Sequence, residues 1–176
     1  RQADFSAIRS LADLETLIAG QGPAWVDTTI LRSAGLTVRE ATYEALFNSV
    51  DRGRIDYFPR AAHEAFLEVA ARIDRLPNLA VERDLMVIYP FASVLVVSRT
   101  RPDIHAALEH GLLEAYRDGS FMAHFNSHPS VRAVREHARF DSRRAFLIDN
   151  PTLSDAMRAI PQEFWETPPV AATPDG

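Results

Sequence analysis

The sequence predicts an α/β fold, a parallel-rich sheet flanked by helices, and three observations carry that expectation. Short apolar runs alternate with amphipathic helical stretches over residues 10 to 76, giving a β-α-β-α-β order. The connections between successive apolar runs are long enough for crossovers between parallel strands rather than hairpins. Gly35 and Gly53 stand where two of the helical patterns stop.

In chain order, residues 1 to 9 read as an incoming linker, and Ser10 as the N-cap of a short turn, Leu11 to Leu14. Thr16 to Ala19 is the first strand, closed by the tight loop Gly20-Gln21-Gly22-Pro23. A helix over Trp25 to Ala34 follows, with Gly35 as its C′ residue, then a second strand from Leu36 to Ala41. Thr42 caps a helix carrying Leu46, Phe47 and Val50 on one side, and Ile55 to Phe58 forms a third strand closed by Pro59. Ala61 to Leu76 is helical with Phe66, Val69, Ala70 and Ile73 on one face, and Leu79 to Val81 can extend as another strand.

From Leu85 the pattern changes. Two uncharged apolar runs, Met86 to Tyr89 and Ser93 to Val97, flank Pro90 and read as extended crossover segments. Pro102 opens an amphipathic helix with Ile104, Leu108, Leu112 and Tyr116, ended at Asp118-Gly119. Helices over Phe121 to Phe125 and Ser130 to Ala138, an apolar segment Phe146 to Ile148 and a helix within Thr152 to Ile160 complete the expected elements. The tail, 167–176, is rich in proline and small residues and reads as disordered.

Composition excludes several classes. The chain has 176 residues, a net charge of −5 and no basic run, which argues against nucleic acid or an anionic membrane as the main partner. There is no cysteine, so no disulfide and no thiolate metal site. All basic residues are arginine, which removes Schiff-base chemistry and a P-loop lysine. The chain opens at Arg1 without a signal-peptide h-region and reads as a trimmed or excised piece.

The order of SLADL, a strand, GQG, a helix, a strand, a helix ending in GRIDYFPR, a long helix, YP, VLVVS, a Pro-Asp helix start and DGSF resembles the type 2 periplasmic solute-binding proteins. It is similar in particular to the family 3 extracellular proteins of ABC importers, which include amino-acid binders. The resemblance covers roughly residues 8 to 150. It implies two lobes that close on a solute by hinge motion. Residues 10–84 are then one α/β lobe, 85–98 the crossover, and 99–166 the C-terminal helical part of the other lobe, whose N-terminal half is missing. It also implies an extracytoplasmic location and a membrane importer or sensor protein as partner. Ala61 stands near the place where the amino-acid binders carry an aspartate, with Arg60 beside it. An amino-acid-like solute, a plain carboxylate, phosphate or sulfonate, and a peptide fragment all stay open.

The candidate ligand residues are Gln21, Gly22, Trp25, Tyr57, Arg60 and Glu64. The loop at Gln21 and Gly22 leads into a helix N-terminus, where the dipole favours an anion. Trp25 either stacks on a ligand or packs its own helix, and Tyr57 offers an alternative aromatic wall. Arg60 lies just past a strand's carboxyl end, where ligands bind in open α/β sheets, and its guanidinium suits a carboxylate. The competing reading of Arg60 is an ion pair with Glu64 one turn on. Asp27 and Thr28 read as first-turn residues that suit a helix N-terminus, and Asp56 as structural. His124 and His128 are four apart, but Phe125 stands where a hydrolytic zinc helix needs glutamate, so no metal is expected. Carboxylate pairs such as Asp13 and Glu15 or Glu40 and Glu44 lie on charged faces, and no nucleophile elbow or dinucleotide fingerprint occurs. The expected function is capture of a small anionic or amino-acid-like solute, without catalysis or a cofactor. The alternative is a sensory or protein-interaction module using the same lobe. Helices 102–138 are expected to cover their apolar faces with one another, with a neighbouring copy in a homo-oligomer, or with the missing segment.

Overall fold

A computed structural model describes residues 4–168, so the first residues of the expected linker and most of the expected tail lie outside the described residues. Helices α1 (Leu11–Glu15), α2 (Val26–Ser33), α3 (Tyr43–Asp51) and α4 (Ala62–Ala70) alternate with strands β1 (Ile18–Gln21) and β2 (Thr37–Glu40). Strand β3 (Leu85–Ile88) precedes helices α5 (Pro102–Arg117), α6 (Ser120–Ser127) and α7 (Pro129–His137), then strand β4 (Arg144–Leu147) and the short helix α8 (Asp155–Arg158). The class is α/β: β1 pairs with β2 and β3 with β4, both parallel.

Local chemistry explains the boundaries. Ser10 caps α1 in a reciprocal box: its hydroxyl accepts from Asp13 N while the Asp13 carboxylate accepts from Ser10 N. Gly35 ends α2 in the left-handed region at φ 85°, where a side chain would be strained. On β1, a Cβ added to Gly20 would fall 2.3 Å from Ile55 Cδ1 and 2.7 Å from Leu46 Cδ2, so this glycine lets α3 lie directly on the strand.

The expected third strand is reduced to a single parallel bridge, Ala19 to Tyr57. The reason is visible in the hydrogen bonds. The Asp56 carboxylate, not a backbone carbonyl, accepts from Ile18 N at 2.8 Å, while Asp56 N and Tyr57 N both donate to Ile18 O. Gly20 N then donates to Tyr57 O at 2.8 Å, and Pro59 has no N–H with which to continue. Asp56 is structural, as read from the sequence, and acts by holding β1. Asp56→Ala is expected to cost about 1 kcal/mol by leaving the Ile18 amide unpaired, measurable by urea unfolding. An unchanged midpoint would show that another group takes its place.

Three further expectations change. Helix α4 stops at Ala70; residues 71–76 continue as tight turns, with Arg75 N donating to Arg72 O, as the chain approaches Pro77. Leu79 is apolar because it is buried, not because it is in a strand. Of the two expected crossover runs the first is β3, whereas residues 91–98 have no regular structure.

One buried cluster takes side chains from both sheets. Ile8, Leu14, Ile30, Leu31 and Leu36 pack with Leu85, Phe146 and Ile148. Arg143 donates to Leu85 O and Ala138 O from a buried position, and Arg144 donates to Ile8 O. Asn150 is also buried; its amide donates to Pro90 O and its carbonyl accepts from Thr152 N and Oγ1. Helices α5 to α7 cover one another only in part. Tyr116 stacks on Phe121 at 4.2 Å and meets Phe164 edge-on at 4.9 Å, yet Leu108, Leu112 and Leu113 stay exposed.

Candidate functional site

The site lies where the chain leaves β1 and the Tyr57 bridge, at the carboxyl ends of the parallel pair. Gly22, Pro23, Ala24 and Trp25 form a turn closed by Trp25 N donating to Gly22 O, with Pro23 in its second position. Ala24 holds φ 61°, a conformation that costs an L-residue on the order of 1 kcal/mol. That strain aims the Trp25 ring back over Gly22, whose added Cβ would fall 2.2 Å from Trp25 Cε2. Thr28 fixes the turn from α2, its hydroxyl donating to Gly22 O at 3.1 Å.

Beneath the turn, Gln21 is 1% exposed. Its amide donates to Pro59 O at 3.1 Å, tying the β1 loop to the loop that carries Arg60, and its Oε1 is buried without a partner among the described residues.

Arg60 is the centre of the cluster. Its guanidinium lies 5.4 Å from the Trp25 ring centroid, 5.2 Å from Phe58 and 5.5 Å from Tyr43. Glu68 grips it at two points, Nε to Oε2 at 2.7 Å and Nη2 to Oε1 at 2.8 Å. Glu64 meets Nη2 at 3.0 Å and with its other oxygen accepts from Ala61 N, the N-cap amide of α4. Tyr43 donates to Glu68 at 2.5 Å, and Arg72, which pairs with Glu44 at 2.6 Å, covers the Phe47 ring at 4.1 Å. Of the two readings of Arg60 made from the sequence, the ion pair with Glu64 forms; Nη1 takes no partner among the described residues.

Burial opposes the charge on Arg60, but the Glu68 hydrogen bond and the Glu64 and Glu68 charges outweigh it and raise its pKa. Burial likewise works against the Glu68 carboxylate; the hydrogen bonds from Arg60 and Tyr43 overcome it and hold its pKa below the ordinary value. The Tyr43 hydroxyl is pushed up, first by burial and then by Glu68. Three carboxylates, Glu44, Glu64 and Glu68, meet the guanidiniums of Arg60 and Arg72 here, and Arg75 acts on Glu44 as well; Arg60 itself faces two carboxylates.

No family model, curated protein or solved structure matches the chain. The site therefore stands on its own geometry.

Of the six residues singled out, Gly22, Trp25, Arg60 and Glu64 converge, and Gln21 holds their two loops together. Tyr57 does not join them. It bridges Ala19 and points to the opposite side of its strand from Phe58, meeting Phe5 edge-on at 5.9 Å. The rings that surround Arg60 are instead Phe58, Tyr43 and Trp25, and the ring of Trp25 stacks on Phe58 at 6.3 Å. Glu68 and Tyr43 were not singled out; the signal for Glu68 was its position one turn beyond Glu64 on the same helix face. Asp27 does more than suit a dipole, because it accepts from Tyr89 OH at 2.5 Å and ties α2 to the end of β3. His128 caps α7, its Nδ1 facing Ser130 N and Oγ.

Proposed function

We propose that the chain is a lobe of a solute-binding protein of the type 2 periplasmic class. In this reading it captures an amino-acid-like solute outside the cytoplasm and hands it to a membrane importer, without turning it over. The observation that carries the reading is that Arg60 Nη1 is unused among the described residues while the Glu64 carboxylate stands at Nη2, with the Trp25 ring against the same guanidinium. A solute carboxylate suits Nη1, and a solute ammonium suits Glu64, whose side chain is 36% exposed. Two carboxylates already face Arg60, which disfavours an anion that lacks an amine and narrows the solute from anionic or amino-acid-like to the latter. Support for the class is the parallel α/β arrangement with the site at strand carboxyl ends.

A second reading, a sensory or interaction module, is favoured by Glu68, which already fills the Nε–Nη2 edge of Arg60 without any ligand. Calorimetric titration separates the two. Amino acids are expected to bind, while the matching organic acids and amines are not. Glu64→Gln, which keeps the cap on Ala61 N but removes the charge, is expected to weaken binding about tenfold or more. Heat from none of the amino acids, or equal binding of an acid without its amine, would overturn the capture reading.

A further inference from the structure

Residues 91–97, Phe-Ala-Ser-Val-Leu-Val-Val, form the most exposed apolar stretch among the described residues. Phe91 is 50% exposed, Val94 56%, Leu95 65% and Val96 92%. The segment is β-branched and aromatic in the manner of a strand, yet it has no regular structure, and its backbone amides and carbonyls take no hydrogen bond among the described residues. It leaves directly from β3, whose one partner is β4. An unpaired apolar strand of this kind is a template for another strand, and natural edges are usually blunted by a charge or a proline. Here none is present: Leu85 to Ser98 contains no charged residue, and Pro90 precedes the segment without interrupting it.

We propose that a second copy of this chain covers residues 91–97, the two segments pairing antiparallel about a two-fold axis at Leu95, with Ser93 against Val97, Ala92 against Ser98 and Phe91 against the stem of Arg99. That register sets Val94 against Val96 and Leu95 against itself, so β-branched residues meet across the pair as stable ladders prefer. It also brings no like charges together, which matters for a chain of net charge −5. The four exposed side chains offer on the order of 500 Å² per copy, or about 1,000 Å² for the pair, the size at which a specific interface becomes sustainable. A contiguous patch of this extent matches the largest on a typical monomer, which is often a functional surface. The dimer is accordingly one of moderate affinity, closed by its two-fold axis and not open-ended.

Sedimentation velocity of the full chain from about 1 to 100 μM tests this, since interfaces near this size associate in that range. The wild-type chain is expected to shift from monomer to dimer with concentration. Leu95→Lys sets two lysines against each other at the axis and is expected to remain monomeric at the top concentration, with an unchanged circular dichroism spectrum. Val96→Pro, which removes a backbone donor at an exposed position without adding charge, is expected to do the same and guards against an effect of charge alone. A wild-type monomer throughout would overturn the proposal and leave the segment to a different chain. A dimer that survives both substitutions, or open-ended association in place of a dimer, would overturn it equally.

Discussion

Glu68→Ala is expected to lower stability by about 2 kcal/mol, because it leaves the half-buried Arg60 with only the more exposed Glu64. Breaking one partner of a fully buried ion pair costs about 3 to 5 kcal/mol; the side chains of Arg60 and Glu68 are 15% and 14% exposed, and Glu64 remains, so the lower figure applies. The same change removes the acceptor for the Tyr43 hydroxyl. A fall in melting temperature of about 5 °C in calorimetry is the expected reading. The dependence on pH has a definite sign. The Glu68 carboxyl titrates below its ordinary value of 4.5, so its stabilisation is complete above that value and is lost as pH falls through the folded one. The difference between wild type and Glu68→Gln is therefore expected to be full at neutral pH, to begin to fall below 4.5 and to vanish only once the pH lies below the folded value. A difference that persists in acid would mean that shape, and not charge, makes Glu68 important.

Gly22→Ala is the second large effect, and it separates the site from the fold. The added methyl would lie within 2.6 Å of three atoms of the Trp25 indole, a rigid ring held by Phe58 and Arg60, so the ring must leave its place. Overpacking of this kind costs about 2 kcal/mol. Trp25 fluorescence, read with Trp165 replaced by phenylalanine, is expected to shift to the red as the ring loses its packing, and binding of an amino-acid solute is expected to disappear. Gly111, where an added Cβ meets nothing within 4 Å, provides the control: Gly111→Ala is expected to leave both readouts unchanged and to raise helix stability by a few tenths of a kcal/mol or more. A Gly22→Ala chain that binds as wild type would remove Trp25 from the site.

The parallel α/β order was legible because each of its signals is local. Gly35, Gly53 and Gly119 all take positive φ where the helical patterns stop, and Ser10 caps where the spacing places it. The third strand was misjudged because the ladder is replaced by the Asp56 side chain, a substitution that apolar patterning cannot register. The pairing of β3 with β4 joins segments separated by three helices, and no local signal specifies a partner at that distance. In the site, Arg60 and Glu64 were legible as neighbours one turn apart. Glu68 lies eight residues from Arg60 and reaches it because Arg60 precedes the helix and folds back over its first two turns. Phe58 and Tyr57 could not be separated by sequence alone; the Ala19 bridge decides which of the two faces Arg60.

Native mass spectrometry of the purified chain with a mixture of free amino acids tests the central claim most directly. Capture at the Trp25, Arg60 and Glu64 site predicts one small-molecule adduct per chain, with the mass of an amino acid and released on denaturation. It also predicts that the adduct is lost in Glu64→Gln. A bare chain with every mixture, or an adduct that Glu64→Gln retains in full, would contradict it.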